Sequence, residues 1–227
     1  MERTVPENEM AWSLITARGE DAVTFLDGQL SQSLDAATAG DVWTCVLEPD
    51  GRVLTYARVH LVVDGCDLFV PSGLVEPTLL RLRKFLLRTR CTLESAPIDE
   101  EPPLSEDARW EQSWPWTAEL ELQLLPHAYG SRFVEHTVSF TKGCFTGQEI
   151  VGRMDARGAT MPWRVVRGSG PDIATINEVF RSVGPEGPQG VTSSRETDSG
   201  VEVMGVVHRT LLSADYDATS VIFEVLP

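Results

Sequence analysis

The sequence predicts an α+β protein, with helices packed on one face of an antiparallel sheet and a β-rich part at its C-terminal end. Three observations carry this expectation. Two Asp-Gly pairs, Asp50-Gly51 and Asp64-Gly65, stand between β-branched runs, the strongest short-range signal for hairpin turns. Leucines recur at helical spacing on both sides of those runs. After Pro162, short β runs alternate with Gly, Pro, Asp and Ser and leave little room for helix.

In chain order, residues 12–17 read as a strand. Residues 20–34 then place Val23, Leu26, Leu30 and Leu34 at helical spacing, with Gly28 weakening the middle. Residues 42–47, 53–63 and 66–70 are β-rich and joined across the two Asp-Gly turns, which predicts a three-stranded meander. Val75, Leu79, Leu82 and Leu86 share one face of a helix expected over 75–88, and a short strand at 91–93 closes the unit. Strand, helix, meander, helix, strand is the order from which the α+β class follows. The acidic, Pro-rich stretch 96–107 reads as a surface connection. Beyond it come Trp110, Trp114, Trp116 and a helix expected near 117–125. The β runs after Pro162 fall at 163–167, 178–183, 189–193, 201–208 and 220–226 and predict a small barrel or sandwich. The chain therefore divides near residue 160 into residues 1–160, with parts of about 1–95 and 96–160, and residues 161–227.

The most informative segment is Lys142 to Arg153, K-G-C-F-T-G-Q-E-I-V-G-R. Thr146 and Glu149 have capping-box spacing, which predicts a helix opening at Thr146 with Cys144 just ahead of its N-terminus. Free N–H groups and the positive end of the macrodipole favour an anion there, either a thiolate or an acidic group of a ligand. Gly143 and Gly147 are expected to let the backbone approach a ligand, and Lys142 and Arg153 to flank the thiol with positive charge. The plainer alternative is a tight turn with a buried structural cysteine.

Composition bounds the function. With 227 residues and 42% hydrophobic content the chain can bury a substantial core. A net charge of −15 argues against nucleic acid as the main partner. The N-terminus carries Glu2, Glu7 and Glu9 without an apolar leader, and no run approaches the roughly 20 apolar residues of a membrane span, so a cytoplasmic protein is expected. Cys45, Cys66, Cys91 and Cys144 lack regular spacing and predict free thiols, with no metal site. Arg81, Arg83, Lys84, Arg88 and Arg90 form a local basic cluster, either a solvated polar helix face or a docking patch for an acidic partner. The four histidines are scattered and read as surface or satisfied core residues.

The cysteine segment resembles the signature K-G-C-[YF]-x-G-Q-E-x-V-x-R of the folate-binding YgfZ family, relatives of the glycine-cleavage T-protein that act in iron–sulfur cluster assembly or repair. Val138-Ser139-Phe140-Thr141 before it and Arg157-Gly158 after it support the likeness. So do Phe25-Leu26-Asp27-Gly28-Gln29-Leu30, similar to the family's F-L-Q-G-Q-L, and Pro49-Asp50-Gly51-Arg52-Val53, similar to P-x-G-R-V. The resemblance implies two interlocked α/β subdomains around a central folate cavity, followed by a Greek-key β-barrel. It also implies tetrahydrofolate or a substituted reduced folate as the ligand. Trp12 falls where the family has a folate-contacting tryptophan, and Trp110 corresponds to a second aromatic contact, with Trp114 and Trp116 as neighbouring candidates. Lys142, Gly143, Gly147, Gln148, Glu149 and Arg153 would complete the binding loop, and Cys144 would be the working thiol. The chain departs from the family pattern at Ser31-Gln32-Ser33 (usually T-N-D), at Ser113 (usually Gly) and at Pro126-His127-Ala128 (usually P-Q-E).

Two function classes follow. One is a folate-binding accessory protein whose partners are iron–sulfur client or assembly proteins. The other is an aminomethyltransferase-like one-carbon transfer enzyme, which needs an acidic residue near the folate. The T-protein stretch that would supply it reads Pro71-Ser72-Gly73-Leu74 here, with no Asp between Gly73 and Leu93.

Overall fold

The computed structural model describes residues 10–98, 102–158, 161–213 and 221–226. The expected division near residue 160 falls at residues 159–160, outside the described residues, as do Glu2, Glu7 and Glu9 and the middle of the acidic connection.

The first sheet contains β1 (Trp12–Arg18), β2 (Val42–Leu47), β3 (Val53–Val62), β4 (Gly65–Pro71) and β5 (Thr92–Pro97), in the order β2-β3-β4-β1-β5 and antiparallel throughout. Both Asp-Gly turns make the expected hairpins. One face of the sheet buries Ile15, Val46, Ala57 and Leu68 against α1 (Ala22–Gln29) and α2 (Val75–Arg83). Both helices are shorter than their leucine spacing predicts. After Gln29 the chain becomes extended, Leu30 bridges to Val46, and the Leu30 and Gln32 carbonyls are taken by the Lys142 ammonium. After Arg83 two turns lead to Arg88, whose left-handed φ of 60° turns the chain.

The opposite face of the sheet carries a second core. Cys45, Leu47, Val53 and Tyr56 pack there against Trp110, Trp114, Leu120, Phe133 and Val151. These come from α3 (Glu106–Gln112), α4 (Thr117–Leu120), α5 (Ser131–Thr137), α6 (Gln148–Ala156) and the segments between them. The helix expected over 117–125 closes after one turn. Gln123 turns left-handed, the Leu124 amide donates to the Tyr129 hydroxyl, and the Leu124 carbonyl accepts from Val53 N.

The second sheet is formed by β6 (Trp163–Gly170), β7 (Gly190–Thr197), β8 (Gly200–His208) and β9 (Ile222–Val225), in the order β7-β8-β6-β9. Val165, Met204 and Val206 turn towards the shared core, while Val166, Val203 and Val207 face the other side of the sheet and are buried there with Ile176, Val179 and Phe180. The expected barrel is corrected: among the described residues these four antiparallel strands form an open sheet, not a closed one. The strand expected at 178–183 is corrected as well, because those residues lie in or just beyond α7 (Ile173–Arg181). Asp172 caps that helix by accepting from Thr175 N at 2.8 Å, and Ile176, Val179 and Phe180 make its buried stripe. Full burial of Ile176 and Phe180 contributes about 1.5–3 kcal/mol each, which outweighs the modest β preference of these side chains.

One polar cluster bridges the middle layer and the second sheet. Arg109 Nη2 donates to Glu119 Oε2 at 2.9 Å and to Ser193 Oγ at 2.8 Å. The Glu119 carboxylate also accepts from Trp116 N, Thr192 Oγ1 and Ser193 Oγ. Glu119 is fully buried and Arg109 is 4% exposed.

Candidate functional site

The cysteine loop is held from both ends. Ser139 N donates to Ser31 O, and the Lys142 ammonium reaches the Asp27 carbonyl at 2.6 Å, Asp27 Oδ1 at 3.0 Å, Leu30 O at 3.0 Å and Gln32 O at 3.0 Å. On the other side Phe145 is buried in the shared core, and Thr146 N donates to Gly28 O. Between these anchors Cys144 faces solvent, the exposed one of the four cysteines. Burial pushes the other thiols up: Cys45 to about 12, Cys66 to about 11, and Cys91 in the same direction.

Several details differ from the sequence expectation. The helix opens at Gln148, not at Thr146. Its N-cap is Gly147, in the left-handed conformation at φ 84°, with no side-chain cap. The expected capping box does not form, because the Thr146 hydroxyl donates to Gln29 Oε1 at 3.3 Å and Glu149 pairs with Arg153 one turn on. Gly147 does serve a close approach, but to the chain itself: an added Cβ would lie 2.9 Å from Glu48 O and 3.0 Å from Gly51 Cα. The Pro49-Asp50-Gly51-Arg52 turn is thus seated on the start of α6. Around Gly143 there is open space, so nothing there demands glycine. Neither flanking cation is directed at the thiol. Arg153 is occupied by Glu149, and Lys142 is a buried strut whose ammonium burial holds below the usual lysine range, against the opposing pull of Asp27.

The aromatic residues form a second feature. Trp12 is 3% exposed, donates its indole N–H to Leu104 O, and packs against Trp43, Tyr56 and Trp116 with ring centroids 5.2–6.0 Å apart. Trp114 continues the cluster towards Trp43, Tyr56 and Phe133 at 5.1–5.3 Å. The Tyr56 hydroxyl is buried without a hydrogen-bond partner. Trp110 lies in the same core, but its ring is flanked by the Arg109 and Arg195 guanidinium groups at 4.9 and 5.0 Å instead of by other rings. Sequence reasoning missed Trp43, Tyr56 and Phe133. The signal for the first two was period-2 alternation, since Trp43, Cys45 and Leu47 share a strand face and Cys45 pairs with Tyr56.

A cleft of about 460 Å³ lies beside this core. Asp50, Arg52, Gln123, Leu124, Ala128 and Trp163 are among its lining residues. It is within the size range of small-molecule sites, and the Asp50-Arg52 turn joins it to the start of α6.

No protein-family model matches the chain. Among curated proteins, the tRNA-modifying protein YgfZ of Yersinia pestis (strain Pestoides F) is 22% identical over 65% of this chain and 66% of its own length. The protein of the same name from Hamiltonella defensa is 21% identical over 65% of each. Among solved structures, the glycine cleavage system aminomethyltransferase T of Bartonella henselae aligns with a TM-score of 0.55, covering 95% of this chain and 83% of that one at 13% identity. In sequence the chain is similar to YgfZ proteins. The matches span just under two thirds of the YgfZ relatives' length, and the aminomethyltransferase likeness establishes a shared fold.

The chain's departures from the YgfZ signature have visible consequences. Ser31 is fully buried, with its hydroxyl donating to Thr137 O at 2.6 Å and accepting from Cys45 N at 2.9 Å. Gln32 reaches Thr44 Oγ1 through its amide N–H and His136 O through its side chain, so the 31–32 turn is tied to β2 and α5. Ser113 stands in the left-handed region at φ 56°, a conformation that explains the family's glycine there. Ala128 presents a methyl group to the cleft where the family pattern has a carboxylate.

Proposed function

We propose that the chain binds a reduced folate and acts as an accessory protein in iron–sulfur cluster assembly or repair, with Cys144 as its working thiol. The observation that carries this is the exposure of Cys144 on a loop fixed by buried Lys142 and buried Phe145, while the other three cysteines are buried. A thiol presented on a pinned loop is suited to exchange with a partner's sulfur without losing loop entropy at each encounter.

Aromatic residues suit a pterin in kind. Trp43 and Trp116, half-buried at the edge of the aromatic cluster, offer flat apolar surface, while Trp12, Trp114 and the orphaned Tyr56 hydroxyl are buried behind them and become available only if those rings part. When bound, a reduced folate supplies electrons or a carried one-carbon unit. The chain's own residues would hold it by stacking and keep water from it, with Trp110, Gln148 and the 142–153 loop nearby in the same assignment. With Ala128 in place of the family carboxylate, a pterin edge in the cleft depends on its other polar groups, Asp50, Arg52 and Gln123.

The relatives' tRNA-modifying name carries over best as an indirect role, through an iron–sulfur enzyme that acts on RNA, because a net charge of −15 repels the phosphate backbone. Four unpaired cysteines favour a reducing compartment, the cytoplasm. The aminomethyltransferase-like alternative is favoured by the shared fold, yet Ser72–Leu74 is a short 3-10 turn and the Ser72 hydroxyl pairs with Ser13 Oγ at 2.7 Å. No acidic residue stands at that position to handle protons.

The deciding experiment uses Cys144→Ala. The variant is expected to fold, to show the same saturable quenching of tryptophan emission by tetrahydrofolate, and to fail to restore iron–sulfur enzyme activity in cells lacking the protein. Full restoration by Cys144→Ala overturns the thiol's role, and absence of quenching in the unaltered protein overturns the folate.

A further inference from the structure

The basic cluster at 81–90 has a different character from either sequence expectation. Arg81 does not belong to a solvated face: it is 1% exposed, with Nε donating to Leu47 O at 2.9 Å and Nη1 to Gln29 Oε1 at 3.1 Å. Its guanidinium lies 4.5 Å from the centre of the Phe85 ring and so fixes that ring at the surface. Around Phe85, which is 43% exposed, stand Leu80 at 59% and Leu87 at 82%. Leu80, Arg83 and Lys84 share a helical face, and Arg88 follows in the left-handed conformation that turns the chain back. Arg83, Lys84 and Arg88 are exposed and form no ion pair among the described residues, whereas Arg90 is taken by Glu20 and Asp21. No acidic residue occurs from 81 to 90, and Glu76 is the one carboxylate on the outward face of α2.

We infer that the end of α2 and the turn after it form a docking surface for an acidic, apolar-faced helical segment of a partner protein. Three large exposed apolar side chains interleaved in sequence with Arg83, Lys84 and Arg88, which lack a carboxylate partner among the described residues although Arg83 also donates to Leu93 O, on a chain whose net charge is −15, are the complement of such a segment. The range of the field selects this class. At physiological ionic strength charges are screened over about 8 Å. A short segment therefore senses the patch alone, whereas an RNA duplex or an anionic bilayer extends past it and meets the acidic remainder of the surface. The patch is also connected to the cysteine loop. The Arg81 guanidinium and the Thr146 hydroxyl both donate to Gln29 Oε1, which leaves one residue, Phe145, between the end of that chain of bonds and the exposed Cys144. The inference stands independently of folate binding and of the chemistry at Cys144.

The test uses fluorescence anisotropy with a labelled amphipathic helical peptide carrying Glu on one face and Leu and Phe on the other. Its probes for comparison are a scrambled isomer, phosphatidylserine vesicles and bulk tRNA. The ordered peptide is expected to bind saturably, at least tenfold more tightly than the scramble. Binding should fall at least tenfold in Lys84→Glu/Arg88→Glu and, separately, in Leu87→Ser, whose altered side chains are exposed in the fold. Cys144 alkylation rate and folate quenching should be unchanged in these variants, which separates failure of the docking surface from failure of the proposed function. Equal binding of ordered and scrambled peptide, or indifference to the substitutions, overturns the inference. Stronger patch-dependent binding to vesicles or tRNA, or patch-dependent self-association in sedimentation, overturns the assigned partner.

Discussion

Ser113 shows how a single residue records a departure that the sequence exposes without explaining. At φ 56° it holds a left-handed conformation that costs a non-glycine residue about 1–2 kcal/mol, and it does so to end α3 and let Trp114 N return to Arg109 O. Replacing it by glycine removes that cost but adds freedom to the unfolded chain, about 0.5–1 kcal/mol. Ser113→Gly is therefore expected to stabilise the protein by about 0.5–1 kcal/mol, seen as a melting temperature higher by about 1–4 °C. No change, or a loss, would mean that the serine side chain contributes more than its contacts indicate. Lys142 and Arg81 teach the complementary lesson. Arg81 reads as a surface cation and Lys142 as a charge flanking the thiol, because composition and spacing carry no information about carbonyls remote in sequence. In the fold each ammonium or guanidinium is buried among such carbonyls, Asp27, Leu30 and Gln32 for one and Leu47 for the other.

Among the elements, those specified by local chemistry were legible and those set by tertiary partners were not. The Asp-Gly turns and alternating β-branched runs placed β2, β3 and β4 closely, because turn geometry fixes register within a few residues. The capping box at Thr146 failed because Gln29 competes for the hydroxyl, and α7 was missed because its β-branched composition masked an amphipathic period. The two glycines of the cysteine loop separate in the same way, although the sequence treats them alike. Gly143→Ala should change stability by less than about 0.5 kcal/mol, since its Cβ would meet open space. Gly147→Ala should cost at least about 2 kcal/mol, combining a left-handed backbone with a Cβ pressed against Glu48 O. Denaturant unfolding of the two variants measures the difference, and equal effects would contradict the seating of the Pro49-Arg52 turn on α6. Alkylation of Cys144 should speed up in Gly147→Ala alone, as the loop loses one anchor.

Across the whole molecule, the layered order was only partly legible, since a buried ion pair binds the middle helices to the second sheet and neither partner announces itself in the sequence. Glu119 lies in the helix expected near 117–125 and Arg109 ahead of it in a stretch with no predicted element, yet Glu119 accepts from Arg109, Trp116 N, Thr192 and Ser193 in a site closed to water. Removing one member leaves the other charge buried, so Glu119→Leu is expected to destabilise by about 3–5 kcal/mol. Arg109→Leu should cost a comparable amount. If the cost were only that of the stranded charge, Arg109→Leu/Glu119→Leu together would restore most of the stability, as apolar replacement of a whole buried pair often does. Here restoration should be incomplete, because Trp116 N, Thr192 and Ser193 would lose the carboxylate that they share, each unpaired group costing about 1–3 kcal/mol. The double variant should thus fall between wild type and the single variants, with a coupling energy above about 3 kcal/mol in the mutant cycle. The spectral readout is local: Trp110, flanked by Arg109 and Arg195, should change its emission as the second sheet loosens from the middle layer. Additive single costs would show that the pair does not act as one unit and that apolar packing alone holds the two sheets together.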